Sequence, residues 1–424
     1  MRAVKLFSPG QFTLFRIILG VYLCWHYTAL IPYAAELFSG AGALADPSLN
    51  PTHGLFPNPL VWWPSPEFAT GFVAVLAVLS ALLAAGWRRR IVALVLWFGW
   101  AALFNRNNLI ANPSLPYIGA ILLFLAIVPD GEPLRWRGRT VKPGDWFFPF
   151  WVYAGAWFLM AAGYTFSGVV KLWSPSWVDG AAFRHLIDNP LARPGWVRDV
   201  FLVMPAWIHA ALTWTILAAE ILFLPLSLWR RGRMAVWAAM VAMHLGIILM
   251  VDFADLSLGM IMIHLFTFDP EWLPARKPEA GRQPVLLYDG ECGLCNAVLR
   301  LILREDVGAI LRFAPLQGET GQAFLRSQKM DTEDFDSLVF IPDINRADRE
   351  NWREGRDYFL RTDGVAAVLD ALGGIWRVFS WLRVLPRRGR DLFYKFVART
   401  RYRLFGEYRP TPLPEATWVE RILR

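Results

Sequence analysis

The stretch Val285-Leu286-Leu287-Tyr288-Asp289-Gly290-Glu291-Cys292-Gly293-Leu294-Cys295-Asn296 decides the fold of the last third of this chain. Val285 to Tyr288 is a short apolar run of β-favouring residues and reads as a buried strand. From Asn296 to Arg304 the period changes: Val298, Leu299, Ile302 and Leu303 fall on one face of a helix. The order is therefore strand, tight turn, cysteine pair, helix. Cys292 is expected at the helix N-terminus, where unpaired N–H groups and the helix dipole stabilise a thiolate. Cys295, one turn on, is within reach to resolve a mixed disulfide. Asp289, just before the turn, is placed to tune the thiol or carry its proton.

Further strands are expected at 310–314 and 337–341, and helices at 319–328, 363–372, 375–384 and 389–404. This is an α/β pattern, and strand-CxxC-helix is the opening of a thioredoxin-like unit. A structural zinc site needs four Cys or His ligands. Only Cys292 and Cys295 are available here, because every histidine lies at or before His264, so no metal is expected. No Gly-rich phosphate loop is present either.

Asp289-x-x-Cys292-x-x-Cys295 after an apolar strand resembles the DCC family of thiol-disulfide oxidoreductases. Phe313-Ala314-Pro315-Leu316-Gln317 matches too, as does the ending from Arg390-Asp391-Leu392-Phe393-Tyr394 through Arg399-Thr400-Arg401-Tyr402-Arg403-Leu404-Phe405-Gly406. The resemblance covers about 284–407. It implies a thioredoxin-like domain with Cys292 as nucleophile, Cys295 as resolving thiol, and a thiol or disulfide substrate, protein or small molecule.

Upstream the composition is different. Over the whole chain hydrophobic residues make up 55% and charged residues 18%, with 22 tryptophans, whereas about 25% charged is usual in a globular chain. Apolar runs recur from Phe12 to Phe268. Eight candidate spans are expected at 12–33, 68–86, 90–107, 115–128, 146–171, 206–229, 234–252 and 255–270. The first exceeds signal-peptide length and shows no cleavage site, so it is expected to stay. Cys24 inside it reads as a packing residue. The fold class is thus an α-helical integral membrane bundle followed by a small α/β thioredoxin-like domain. The parts are a membrane domain (1–272), a linker marked by Pro274, Pro278, Gly281 and Pro284 (273–284), the dithiol domain (285–407) and a tail (408–424).

The net charge of +8 invites a nucleic-acid reading, but its placement favours a membrane. Arg2, Lys5, Arg88-Arg89-Arg90, Arg135, Arg137, Arg139, Lys142, Arg230, Arg231 and Arg233 fall in alternate loops. That positive-inside pattern puts both termini, and the dithiol domain, in the cytoplasm of a bacterial inner membrane. The segment from Arg377 to Arg409 mixes basic and aromatic residues and suits membrane lipid as partner, not nucleic acid.

Polar residues inside the spans are functional candidates by default: Arg16, His26, Asn105, Arg106, Asn107, Asn108, Lys171, His209, Glu220, His244, Asp252 and His264. Gly163-Tyr164-Thr165-Phe166-Ser167-Gly168-Val169-Val170-Lys171-Leu172 with Trp177-Val178-Asp179-Gly180, then Met243-His244 and Ser257-Leu258-Gly259-Met260, resembles the HTTM membrane domain shared with vitamin K-dependent gamma-carboxylases. The resemblance implies Lys171 as the base toward a quinol, His244 lining the same cavity, and a quinone or other lipidic ligand. The carboxylases' large lumenal part has no counterpart here, so protein glutamate carboxylation is not expected. Three functions follow: a membrane-tethered oxidoreductase, a quinol-oxidising enzyme that uses the dithiol for recycling, and a non-enzymatic redox-sensing scaffold.

Overall fold

A computed structural model describes residues 7–136, 146–273, 281–306, 308–333, 335, 337–346, 351–408, 413 and 416–423. Eight helices occupy the eight expected apolar segments: α1 (Pro9–Leu30), α2 (Pro66–Ala85), α3 (Arg89–Arg106), α4 (Leu115–Ile127), α5 (Phe150–Lys171), α6 (Ala206–Ile221), α7 (Arg230–Met250) and α8 (Ala254–Thr267). Ser8 and Ser65 start α1 and α2 by accepting from the backbone N–H of Gln11 and Phe68.

The expected eight full crossings shrink to fewer. Among the described residues three helices are long and apolar enough to cross a membrane: Pro9–Phe38, Pro66–Ala85 and Arg230–Met250. A fourth arises if Trp196–Leu202 and α6, which meet at 107°, form one broken span. The reason is length and composition. The 13 residues of α4 rise only ~20 Å, short of ~30 Å of hydrocarbon. Helix α3 begins and ends on buried arginines, Arg89 and Arg106, and α5 spends much of its length on Trp, Tyr and Gly.

Several residues read as basic loop charges or polar span candidates serve structure. Arg89 is fully buried; its Nε donates to Glu132 at 2.9 Å, and Arg16 lies 3.7 Å from the same carboxylate. Arg16 also donates to the carbonyls of Leu83 and Leu134, capping the end of α2. Arg106 and Asn107 hold the carbonyls of Leu44 and Leu37, and His209 holds that of Phe201. Arg2, Lys5, Arg137, Arg139 and Lys142 of the charge pattern, and Pro274 and Pro278 of the linker, lie outside the described residues.

The C-terminal part is a small mixed sheet with helices on both faces. Its strands are β1 (Val285–Tyr288), β2 (Arg312–Pro315), β3 (Val339–Ile341) and β4 (Phe359–Leu360), in the order β2-β1-β3-β4. β1 runs parallel to β2, with Leu286 opposite Phe313, and antiparallel to β3. The helices are α9 (Gly293–Glu305), α10 (Glu319–Ser327), α11 (Arg361–Leu372) and α12 (Arg387–Phe405). All four β1 residues are buried because both faces are covered. Leu286 and Tyr288 pack with Leu299, Ile302 and Val368, and Val285 and Leu287 with Phe324 and Leu325. β2 starts two residues after its expected position. The two-residue β4 gave too short an apolar run to be read from sequence. The helix expected at 375–384 is two pieces, α-helical Gly374–Phe379 and 3-10 Ser380–Val384. Trp418 and Ile422 of the tail pack into the same core, Phe313 N donates to Arg421 O at 2.9 Å, and Leu423 N donates to Phe313 O at 2.7 Å.

One carboxylate joins the two parts. Glu305, the last residue of α9, accepts from Ser8 Oγ at 2.7 Å, from Gly10 N at 3.1 Å and from Trp376 Nε1 at 3.1 Å. A negative charge at the first turn of α1 is favoured by the helix dipole, while burial pushes the Glu305 pKa above its ordinary value.

Candidate active site

β1 ends at Tyr288, and the chain turns back into α9 within the next four residues. Cys292 is the N-cap of α9: its Sγ accepts from the N–H of Cys295 at 3.3 Å. Both cysteines are free thiols, Cys292 fully buried and Cys295 partly exposed. The turn is pinned by Asn296, whose Nδ2 donates to the carbonyls of Gly290 at 2.7 Å and Cys292 at 3.0 Å.

Asp289 comes to the pair as the sequence implied, with its partners supplied from far along the chain. Oδ1 accepts from Gln317 Nε2 at 2.9 Å and from Glu291 N at 3.1 Å. Oδ2 accepts from Arg401 Nη2 at 2.7 Å and Tyr402 Oη at 2.6 Å. Four donors occupy the carboxylate, so Asp289 serves as an anchor for Arg401 more readily than as a proton carrier. Arg401 is only 7% exposed and also donates to Phe335 O at 2.7 Å. Gln317, Arg401 and Tyr402 lie in the stretches that carry the family resemblance, but no role for them is legible in the sequence. Their spacing from Asp289, 28, 112 and 113 residues, gives no local signal.

The two thiols are driven apart electrostatically. The hydrogen bond from Cys295 is the largest influence that lowers the Cys292 pKa; burial opposes it, and the Cys295 N–H and the Arg401 charge add to it. The result is a thiol pushed down to about 6. Cys295 is pushed up, first by that same hydrogen bond and then by burial and the neighbouring thiolate. Alkylation of Cys292 by iodoacetamide is therefore expected to rise with a midpoint near pH 6, with about nine-tenths thiolate by pH 7; a midpoint near 8.5 would contradict this geometry. Cys292 is depressed, so its contribution is present above the ordinary thiol pKa of about 8.5 and is lost as pH falls through 6. Cys295 is raised, so its contribution is lost as pH rises above that same ordinary value. Denaturation of the reduced protein is expected to be hardest near pH 8.5.

Residues 405–408 lie over the dithiol turn. Gly293 N donates to Gly406 O at 3.1 Å, Tyr408 N to Glu291 O at 2.7 Å, and Cys292 pairs with Glu407 in an antiparallel bridge. This strap is what buries Cys292. Gly293 permits it: a Cβ there would stand 2.6 Å from Phe405 O and 3.0 Å from Gly406 O. Gly293→Ala is expected to lift the strap, costing about 1–3 kcal/mol of stability and speeding Cys292 alkylation at least severalfold. An unchanged alkylation rate would show that the strap does not limit access.

A carboxylate oxygen of Asp289 and the two sulfurs lie within 4.8 Å of one another, a set able to hold a metal ion. Among the described residues the set stops at three. Arg401 brings a permanent positive charge to the same carboxylate, which disfavours a divalent cation there.

Among the described residues no hydrogen bond joins the two membrane-side candidates. Lys171 Nζ donates to both oxygens of Glu220 at 2.6 Å and lies 4.3 Å from the centre of the Trp177 ring. His244 belongs to a different group: its Nε2 is 2.7 Å from Tyr164 Oη and its Nδ1 3.2 Å from Ser257 Oγ, with His264 Nε2 3.5 Å from the same tyrosine oxygen.

The dithiol turn has recognisable relatives. The family profile of the DCC1-like thiol-disulfide oxidoreductases matches residues 286–407. YuxK, an uncharacterized protein of Bacillus subtilis (strain 168), is 36% identical over 139 residues, 33% of this chain and 93% of the relative. The chain belongs to the DCC1-like family. A chloroplastic DCC family protein of Arabidopsis thaliana is 27% identical over 129 residues, 30% of this chain and 68% of its own. No solved structure matches. In this DCC1-like chain Asp289, Cys292 and Cys295 thus converge at the start of α9.

Proposed function

We propose that the protein is a membrane-held thiol-disulfide oxidoreductase that works by exchange at Cys292 and Cys295. The observation that carries this reading is Cys292 as the N-cap of α9, beside the buried Arg401–Asp289 pair. That setting stabilises a thiolate, the species that attacks or leaves in exchange. The sheet order β2-β1-β3-β4, with the cysteine pair between β1 and α9, supports a thioredoxin-like unit. Three long apolar helices support a membrane tether, and the loop charges support a cytoplasmic dithiol, where thiols stay reduced. Exposed Trp381, Leu392, Phe393 and Phe396 among the arginines of α12 and the turns before it support contact with anionic lipid. The test is turnover: full-length protein cycled with glutathione is expected to reduce a disulfide reporter catalytically, and stoichiometric-only reaction would sink the reading.

A second reading concerns the HTTM-like half. Tyr164, His244, Ser257 and His264 make a buried polar cluster among apolar helices, which supports a quinone or other lipidic ligand there. Lys171 would act as base only after release from Glu220. Quinol oxidation that survives Lys171→Ala would refute it.

A further inference from the structure

A cavity of about 280 Å³ lies behind the dithiol turn, between α9, α11 and α12, with Cys295, Asp289 and Arg401 in its lining. The rest of the wall is almost wholly apolar, including Leu299, Val365, Val368, Leu369 and Ala398. This is near the small end of ligand sites, roughly 300–1,000 Å³. A dry apolar cavity of about half that size already takes up benzene. Cys292 does not line it and is covered on its other side by residues 405–408. Arg401 adds an independent observation: its Nε–H is buried and has no acceptor among the described residues. A buried donor without a partner costs about 1–3 kcal/mol, and a ligand atom in the cavity is a natural acceptor for it.

We infer that this cavity binds a lipophilic thiol and presents it to Cys295, so that the substrate meets Cys295 and not the covered Cys292. The inference rests on the exchange reading above and adds the substrate class. In the oxidised protein an incoming thiolate attacks Cys295 Sγ. The Cys292–Cys295 bond breaks, and its electron pair leaves on Cys292, where the Cys295 N–H and Arg401 stabilise it. A second thiolate attacks the substrate sulfur of the mixed disulfide, releasing a dialkyl disulfide. The pair then leaves on Cys295, which takes a proton. Two thiols have lost two electrons and two protons; the protein disulfide has gained the electrons, one proton has gone to Cys295 and the other to solvent.

The experiment uses oxidised full-length protein and straight-chain alkanethiols of two to ten carbons, with formation of the protein dithiol followed by mass. The rate at sub-saturating thiol is expected to rise up to about fourfold per methylene, the equivalent of ~0.8 kcal/mol per buried CH₂, until the cavity is full. The trapped mixed disulfide is expected on Cys295. Ala398→Trp, which fills the cavity from α12, is expected to abolish the dependence on chain length. A long-chain alkyl diazirine gives a readout without exchange and is expected to label Val365, Leu369 or Ala398. Rates independent of chain length, or adducts on Cys292, would overturn the inference while leaving exchange intact. Labelling of the cavity without reduction by any thiol would overturn the exchange reading, and the substrate role with it. Failure of the diazirine to label α9, α11 or α12 would overturn the cavity as a site.

Discussion

Replacing Cys292 with Ser is expected to stop disulfide turnover altogether, a loss of at least about a thousandfold, as for removal of other covalent nucleophiles. Serine can cap α9 as well as cysteine does, so the fold should survive and the loss is chemical. Two arguments set the size. The hydroxyl is not ionised near neutral pH, whereas the Cys292 thiol is pushed down to about 6. A single remaining sulfur also cannot close or open a disulfide. Cys295→Ser separates the roles. It retains the ionised sulfur, so Cys292 is still expected to take up one iodoacetamide per molecule, but it lacks the sulfur that meets the substrate and is expected not to turn over. Thermal denaturation checks that both variants are folded, and turnover above one-tenth of wild type in folded Cys292→Ser protein would refute dithiol exchange.

Arg401→Leu is the second large expectation, and it falls on stability as well as chemistry. The substitution leaves the Asp289 carboxylate, 3% exposed, without its ion-pair partner, and the Phe335 carbonyl without its donor. Breaking one side of a buried pair costs about 3–5 kcal/mol, because an uncompensated charge remains. Tyr402 and Gln317 keep their hydrogen bonds to Asp289, so the lower end is expected. The same change removes the positive charge that helps hold the Cys292 thiolate, so its alkylation midpoint should move up. The double variant Asp289→Asn/Arg401→Leu should recover part of the stability but not the low midpoint. Arg401→Lys keeps the charge and loses the planar fork, so it should keep more of the midpoint than of the stability. Denaturant unfolding and a pH series of alkylation read the two effects separately. A loss below about 1 kcal/mol for Arg401→Leu would show that the pair is solvated in solution.

The sequence exposed the part of this site that is local. Val285 to Tyr288 could be read as a strand because it is apolar throughout. The helix after Cys295 could be read because four apolar residues share one face. Cys292 and Cys295 stood out by spacing alone. What stayed hidden is what arrives from elsewhere: Arg401 and Tyr402 reach Asp289 from α12, and Gln317 from the end of β2. Residues 405–408 close over Cys292 because α12 stops at Gly406; the stop was legible, a helix being expected to end at 404, but the contact with Cys292 was not. The membrane half was legible as helices and less so as crossings. Apolar composition marks all eight segments, but α4 and α8 are too short to span, and Arg89, counted as a loop charge, is sequestered by Glu132.

The Glu305 joint links two events that biosynthesis separates. Ser8 and Gly10 leave the ribosome 297 and 295 residues before their acceptor. At synthesis rates of ~5–20 residues per second that interval is roughly 15–60 s. During it the start of α1 exists without the carboxylate that later holds it. The first of the long apolar helices to be made is thus among the last to be fastened, and the fastening waits on the end of α9.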